Sequence, residues 1–239
     1  MPGDRIAVLA DSHLSRDDPE RVEQLARALE QLGESCAAVY VLGDLFEVWL
    51  GVRTVEPHVA RVAGALRELR ARGVRTGYVE GNRDFGIGRG VTGGLFDAVA
   101  PRELVERFGG LTYHFSHGDL VNPRDRQYRA WRAVSKGLLA PVGLRLLPDA
   151  LAIALAARLE RRLAATNLRH KSYFPEADCV AYARARVAAG ADVVVVGHFH
   201  RHAVIPVEAA GRRGLFVALP FWHAEPRPVF FDLEGRVIV

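Results

Sequence analysis

The fold is decided by residues 6–44, which read IAVLADSHLSRDDPERVEQLARALEQLGESCAAVYVLGD. Two continuous apolar runs of strand length, residues 6–10 and 37–42, stand near its ends. Between them, apolar residues recur at helical spacing from about residue 18 to residue 32, and a glycine follows. This pattern predicts two buried parallel strands that are joined by a helix in a right-handed crossover.

The same alternation continues along the chain. A helix is predicted at about residues 57–72, followed by a strand at 76–79, and further strands at 111–115 and 192–196. A long helical region, broken by prolines, is predicted from about 124 to 189. Short strands are predicted in the tail, at about 204–207, 215–219, 229–232 and 237–239. We therefore expect an α/β fold with two packed sheets, formed by a single domain over residues 1–239 with a helical insertion at about 124–174.

The composition is that of a folded globular protein, with 49% hydrophobic and 25% charged residues in 239. The net charge of +4 reflects arginine, since Lys136 and Lys171 are the only lysines. We interpret the arginine excess as solvated surface charge and expect no nucleic-acid partner. The N-terminal apolar run is too short for a signal peptide, and no run approaches the roughly 20 residues of a membrane span. Because Cys36 and Cys179 do not make a disulfide framework, we expect a cytoplasmic protein.

Clusters of polar residues follow the predicted strands. They are Asp11-Ser12-His13, Gly43-Asp44, Gly81-Asn82-Arg83-Asp84, His117-Gly118-Asp119 and Gly197-His198-Phe199-His200. In open parallel sheets, ligands bind at the carboxyl ends of the strands, so all of these clusters can converge in one crevice. Any one histidine is more often structural than a ligand, but the same chemistry after each strand predicts a metal site. Asp, Asn and His supply the oxygen and nitrogen donors that suit Mn²⁺, Fe²⁺ or Zn²⁺.

These clusters resemble those of the calcineurin-like metallophosphoesterases, whose fold is two packed mixed β-sheets flanked by helices. The resemblance implies two divalent metal ions, most often Mn²⁺, which activate a hydroxide as the nucleophile. It implies one ligand set of Asp11, His13 and His200, a second of Asn82, His117 and His198, and Asp44 as the bridge between the ions. Asp84 and Asp119 adjoin ligands and are candidate hydrogen-bond acceptors for the histidine rings.

Arg83 stands where many members of this superfamily have a histidine. An arginine does not donate a proton at neutral pH, but its guanidinium fork suits a phosphate oxygen. We therefore predict that Arg83 stabilises charge and that, with Asp44, it is a catalytic residue. An arginine at this position fits a substrate whose leaving group needs little protonation. In a pyrophosphate the leaving group is itself a phosphate and meets this condition.

Three longer stretches narrow the resemblance: GDLFEVWLG at 43–51, GNRDFGIG at 81–88 and GHFHRH at 197–202. They are similar to the UDP-2,3-diacylglucosamine hydrolase family of lipid A biosynthesis, and the similarity extends to residues 125–132 and to Trp222-His223. It implies hydrolysis of UDP-2,3-diacylglucosamine to UMP and 2,3-diacylglucosamine 1-phosphate. It also implies substrate contacts by Asn82, Arg83, Asp125, Asn167, Lys171 and His198.

The segment from Leu138 to Leu163 is rich in leucine, with arginines around it. It is too apolar for an ordinary surface helix and too short to span a bilayer. It could line an acyl-chain pocket, lie on an anionic membrane surface, or be a helical cap packed on the core. With a lipid-linked UDP-sugar as substrate, we expect peripheral contact with the cytoplasmic face of the inner membrane and no obligate protein partner.

Two other functions stay open at this point. A soluble metal-dependent phosphodiesterase or phosphatase would act on nucleotides or small phosphoesters without using the apolar segment. A non-enzymatic scaffold would keep the fold, but it has no need of so complete a set of ligands. Among the other histidines, we expect His58 and His202 at the surface and His114 in the core, while His170 and His223 receive no role.

Overall fold

The computed structural model describes residues 3–50, 57–85, 94–124, 126–136, 148, 151, 154, 158 and 174–238. The strands are β1 (Arg5–Leu9), β2 (Cys36–Val41), β3 (Trp49–Leu50), β4 (Arg75–Val79), β5 (Asp84–Phe85), β6 (Ala98–Ala100), β7 (Glu103–Phe108), β8 (Leu111–Ser116), β9 (Val193–Val196), β10 (Ala203–Ala209), β11 (Arg212–Ala218), β12 (Val229–Phe231) and β13 (Val237–Ile238). The helices are α1 (Pro19–Leu32), α2 (Pro57–Ala71), α3 (Arg126–Ser135) and α4 (Glu176–Ala188).

The strands form two mixed sheets. The first has the order β13-β12-β1-β2-β4-β6. In it, β1, β2, β4 and β6 are parallel to one another, β12 pairs antiparallel with β1, and β13 pairs antiparallel with β12. The second has the order β10-β11-β9-β8-β7, with a parallel centre and antiparallel edges. Strands β3 and β5 form a separate short parallel pair.

Three apolar layers hold these elements together. One fills the space between the sheets and includes Ile6, Tyr40 and Phe115. The second packs α1 and α2 against the outer face of the first sheet, and the third packs α4 against the outer face of the second sheet. The predicted α/β/β/α arrangement is therefore confirmed, and its continuous apolar strands are buried on both faces, as parallel strands flanked by helices require.

Helix α1 shows how local sequence sets these elements. Asp18 accepts a hydrogen bond from the Arg21 backbone amide at 3.2 Å and caps the helix, and Pro19 begins it. Its buried face joins the core, while Arg61 of α2 pairs with Glu23 and Glu30 of α1 at 2.7 Å each. The helix lies one residue from its predicted start.

Four strands were not expected from the sequence, namely the short pair β3 and β5 and the edge strands β6 and β7. β7 pairs with β8 at the edge of the second sheet, and β6 lies at the edge of the first. The side chains of β7 alternate between exposed and half-buried, and charged residues interrupt its apolar positions. An edge strand of this kind has no continuous apolar run, so the pattern that revealed the central strands is missing.

Some single-residue expectations changed as well. His58, predicted at the surface, is only 8% exposed and packs its ring edge against Phe46 at 5.5 Å. His114 is buried, as predicted, and His202 is half-buried. Cys36 and Cys179 are both free and buried. Most of the predicted insertion at 124–174, including the apolar segment and His170, lies outside the described residues.

The close approach of the sheets at Gly77 gives a stability prediction. A Cβ there would lie 2.5 Å from the Tyr40 ring and 3.1 Å from Leu104, so Gly77→Ala overpacks the inter-sheet core. We expect it to lower the free energy of unfolding by about 1–3 kcal/mol in urea titration. A methyl group added at Gly64, on the exposed face of α2, would have no atom within 4 Å, so Gly64→Ala should instead raise stability by about 0.5–1 kcal/mol. Equal effects of the two substitutions would contradict this packing.

Candidate metal centre

The polar clusters converge where the two sheets meet. Three of them follow the neighbouring parallel strands β1, β2 and β4, and two follow the neighbouring parallel strands β8 and β9. Contacts link the sheets across this edge: the His198 amide donates to Asp11 Oδ2 at 2.6 Å, and the His117 ring is hydrogen-bonded to the Leu42 carbonyl at 2.7 Å. The structure thus brings together all seven side chains that the sequence singled out as ligands, which are Asp11, His13, Asp44, Asn82, His117, His198 and His200.

The backbone at these positions is unusual. Among the described residues, left-handed φ angles at non-glycine residues occur at Asp11 (54°), His13 (41°), Asp44 (51°), His198 (70°), His200 (54°) and Ala210 (49°). All but Ala210 belong to the candidate site. This conformation costs free energy for a residue with a side chain, and it is commonest at functional positions. The turns therefore aim the side chains inward at an energetic cost.

Glycines in the same turns allow the loops to approach closely. Gly43 has a φ of 83°, and a Cβ on it would lie 2.8 Å from His117 Nδ1. A Cβ on Gly197 would lie 2.7 Å from Asp11 Oδ2, and one on Gly81 would collide with Asp44. These glycines leave room for the ligand side chains of the neighbouring loop.

One group of side chains consists of Asp11, His13 and His200. The Nε2 atoms of the two histidines lie 3.3 Å apart, and Asp11 Oδ1 lies 3.8 Å from His13 Nε2 and 3.5 Å from His200 Nε2. Asp11 Oδ1 is buried, and no residue in the described part of the chain hydrogen-bonds to it. A fully buried carboxylate oxygen without a donor is costly unless a cation binds it.

A second group surrounds Asn82. Its Oδ1 atom lies 2.9 Å from His117 Nε2 and 3.1 Å from His198 Nδ1, while Asp44 Oδ2 lies 3.7 Å from His117 Nε2. Asp11 is near enough to Asp44 and His117 for these three to form a possible metal-binding group, so that Asp11 belongs to both groups. The two groups are therefore contiguous.

The protonation states of Asp11, His13 and His198 suit a cation. Burial raises the pKa of Asp11, but the imidazole of His200 and other nearby histidines outweigh it and lower that pKa below its usual range. Burial and the guanidinium of Arg83 lower the pKa of His13, and burial lowers the pKa of His198 to about 4. At neutral pH these groups are a carboxylate and neutral imidazoles, which are the forms that bind metal.

The pKa values of Asp44 and His117 are both raised. Burial raises the pKa of Asp44 to about 7. Burial lowers the pKa of His117, but the carboxylates of Asp44 and Asp11 outweigh this effect and raise it. A cation that binds here would therefore compete with protons.

One of the neighbouring acids does not act as the sequence suggested. Asp84, expected to accept from a ligand histidine, instead accepts from Tyr78 Oη at 2.6 Å and from the amides of Gly81 and Asp44 at 2.7 and 3.0 Å. Asp119 forms an ion pair with Arg132 Nε at 2.7 Å. The acceptor for His117 Nδ1 is the carbonyl of Leu42, which follows directly after β2.

Arg83 is buried beside Asp44. Its backbone amide donates to Asp44 Oδ1 at 2.8 Å, its Nε lies 3.7 Å from Asp44 Oδ2, and its Nη1 donates to Glu47. The guanidinium is thus inside the site, as predicted, and already has an acidic partner. Sequence reasoning gave Glu47 no role, although it lies in the quoted stretch 43–51.

Two further contacts were missed. Lys136 donates to the carbonyl of Gly81, next to Asn82, and Phe221 stacks on His200 with ring centroids 4.3 Å apart. Neither has a sequence signal, because each depends on a distant segment folding over the site. Of the predicted substrate contacts, Asp125, Asn167 and Lys171 lie outside the described residues.

Known proteins of similar sequence or structure indicate the family of this chain. The model of the calcineurin-like phosphoesterase family matches residues 4–202. A UDP-2,3-diacylglucosamine hydrolase of Stenotrophomonas maltophilia is 30% identical over 95% of this chain and 94% of its own length. One of Serratia proteamaculans is 29% identical over 91% and 90%. A solved cold-active protein-tyrosine phosphatase of a Shewanella species is 13% identical, with a TM-score of 0.39 over 99% of this chain and 80% of that chain.

The family match covers most of the chain and contains every loop of the candidate metal centre. This chain therefore belongs to the calcineurin-like phosphoesterase family.

Proposed function

We propose that this chain hydrolyses the pyrophosphate bond of UDP-2,3-diacylglucosamine, which yields UMP and 2,3-diacylglucosamine 1-phosphate. Membership of the family makes it a hydrolase. The observation that carries the choice of substrate is the match to UDP-2,3-diacylglucosamine hydrolases, which runs along 95% of this chain in the Stenotrophomonas relative, beyond the residues of the family model. A general phosphatase would not need similarity over that length.

The metal site supports the same activity. We propose that Asp11, His13 and His200 hold one divalent ion, that Asn82, His117 and His198 hold another, and that Asp44 contacts both. The donors fit such ions because Asp11 Oδ1 is a buried, unpartnered carboxylate oxygen, and a mixed nitrogen and oxygen set suits Mn²⁺. Two bound ions supply positive charge for the phosphate oxygens and activate the attacking water.

Arg83 complements this charge. Its backbone is tied to Asp44 and its guanidinium is held by Glu47, so its planar group needs little further ordering to meet a phosphate. We propose that it stabilises the charge that develops on the pyrophosphate as the bond breaks. Asn82 and His198 line the same site, and we propose that they contact the substrate together with Asp125, Asn167 and Lys171.

The acyl chains of the proposed substrate indicate where in the cell the protein would work. In the described part of the chain, the structure has no helix with the length and apolar character to cross a membrane. Because the substrate carries acyl chains, we propose that the protein works in the cytoplasm against the inner-membrane surface. The Leu138–Leu163 segment would then bind an acyl chain or the lipid surface.

An activity assay tests the proposal. With UDP-2,3-diacylglucosamine and Mn²⁺, we expect UMP release, and Asp44→Asn should lower kcat by about 10³-fold because a carboxylate between the ions is lost. Asp17→Asn, the same change at an exposed loop position, should leave kcat unchanged. Turnover of small phosphodiesters without release of UMP from the lipid would show that the substrate is wrong.

Metal binding should depend on pH in a defined direction. The raised pKa of Asp44, about 7, means that protons compete with the ion below neutrality. We expect Mn²⁺ affinity to rise from pH 6 to pH 8 with release of protons, as measured by calorimetry in buffers of different ionisation enthalpy. Asp44→Asn should reduce both the affinity and the proton release. Binding that does not change over this range would contradict the raised pKa of Asp44.

Arg83 can be tested without removing its charge. Arg83→Lys keeps the cation but loses the planar fork, so we expect kcat/KM for the lipid substrate to fall by about 10²-fold. Mn²⁺ affinity should stay within about threefold of wild type, since Arg83 is not among the proposed ligands. Arg213→Lys on the exposed face of β11 is the matched control. Unchanged kcat/KM in Arg83→Lys would remove Arg83 from the mechanism.

A further inference from the structure

The loop that follows β11 places an aromatic ring against the metal centre. The Phe221 and His200 rings are stacked, with centroids 4.3 Å apart and planes at 8°. Phe221 also lies 5.9 Å from the His13 ring at an angle of 53°. Both histidines of the Asp11–His13–His200 group thus pack against one half-buried ring.

The two groups of the centre hold their histidines differently. In the Asn82 group, the His117 Nδ1 atom is hydrogen-bonded to the Leu42 carbonyl at 2.7 Å, which fixes the ring's orientation. In the other group, the Nδ1 atoms of His13 and His200 are buried and have no hydrogen-bond partner among the described residues. Hydrogen bonding to a neighbouring acceptor therefore does not orient His200, whereas the flat contact with Phe221 restricts rotation of its imidazole.

The two residues that follow Phe221 anchor its loop to the rest of the protein. Trp222 is 2% exposed and belongs to the core between α1, α2 and the first sheet. His223 lies with Nδ1 2.8 Å from Arg21 Nη1 and Nε2 2.6 Å from the Ser12 carbonyl. Since arginine only donates, Nδ1 accepts, and Nε2 carries the proton that is donated to Ser12.

This hydrogen bond ties the loop to the ligand turn itself. Ser12 lies between the two ligand candidates Asp11 and His13, whose backbones are left-handed. The amides of Ala224 and Glu225 both donate to the Phe221 carbonyl at 3.0 Å, which closes the turn behind the ring. The ring is therefore fixed relative to the side chains that it contacts.

We propose that Phe221 is a positioning residue for the Asp11–His13–His200 group, where its ring takes the place of the hydrogen-bond acceptor that ligand histidines usually have. Because a ring contact restrains an imidazole less than a hydrogen bond does, this group is the weaker of the two ion positions. The inference rests on the two-ion site proposed above and concerns the order in which its halves fill.

The test is Mn²⁺ binding by wild type and Phe221→Leu, which keeps apolar bulk but removes the flat ring. Wild type should bind two equivalents. In Phe221→Leu, affinity at the weaker position should fall by about 10–100-fold while the tighter equivalent is kept. At a Mn²⁺ concentration that just fills both positions of wild type, the electron paramagnetic resonance spectrum should be that of a coupled pair in wild type and that of a single ion in Phe221→Leu. Phe221→Tyr should restore the pair.

Control variants distinguish the proposed role of Phe221 from the proposed metal site itself. Phe230→Leu, the same change at a half-buried ring on β12, should bind as wild type does. If wild type binds no Mn²⁺, the metal site itself is wrong. If wild type and Phe221→Leu both bind two equivalents with affinities within threefold, Phe221 positions nothing. Should Phe221→Leu fail to fold, His223→Ala decides: loss of one equivalent supports the inference, and retention of both overturns it.

Discussion

The geometry of the metal centre depends on a carboxylate that is not one of its proposed ligands. Asp84 Oδ2 accepts hydrogen bonds from Tyr78 and from the amides of Gly81 and Asp44. Burial, with the charge of Asp84, raises the pKa of Tyr78 well above its usual value, so that the hydroxyl keeps its proton and donates. Hydrogen bonds to a charged acceptor contribute about 1.5–3 kcal/mol each. One buried oxygen thus sets the spacing between the loops after β2 and β4.

Buried cations surround this acidic centre. Arg83 pairs with Glu47, and Arg132 pairs with Asp119. Lys136, four residues beyond Arg132, contacts Gly81, and burial lowers its pKa. The last two belong to α3 and the residue that follows it, so the described beginning of the insertion is joined to the ligand loops by charged contacts rather than by apolar packing alone. Losing one member of such a buried pair is costly because the other remains unpaired.

Sequence patterns predicted the parts of this structure that repeat a simple physical rule. Buried parallel strands are continuous apolar runs, and the carboxyl ends of neighbouring strands meet, so the convergence of Asp11 with Asp44 followed from topology. Strand β7 was missed because an edge strand has no such run. Glu47, Lys136 and Phe221 were missed because their partners are 36, 55 and 21 residues away. No local period encodes a contact of that kind.

Asp84 shows most clearly what the sequence patterns could not predict. Its position next to the Gly-Asn pair suggested a role at a histidine, but a carboxylate in a tight turn first satisfies the amides around it. Only the folded path of β2 shows that the Asp44 amide is among them. Residue type and order were therefore sufficient to identify the set of polar groups. Which of these groups hydrogen-bonds to which depends on the path of the backbone.

The left-handed turns at Asp11, His13, Asp44, His198 and His200 have a consequence for how this family can change. A left-handed residue costs about 1–2 kcal/mol, least for Asp, Asn and Gly, so five together rival the net stability of a typical domain. Glycine at any of these positions would relieve the backbone strain, but it would also remove the side chain that is a candidate metal ligand. At these positions a more stable backbone would therefore be gained at the expense of the candidate metal ligands.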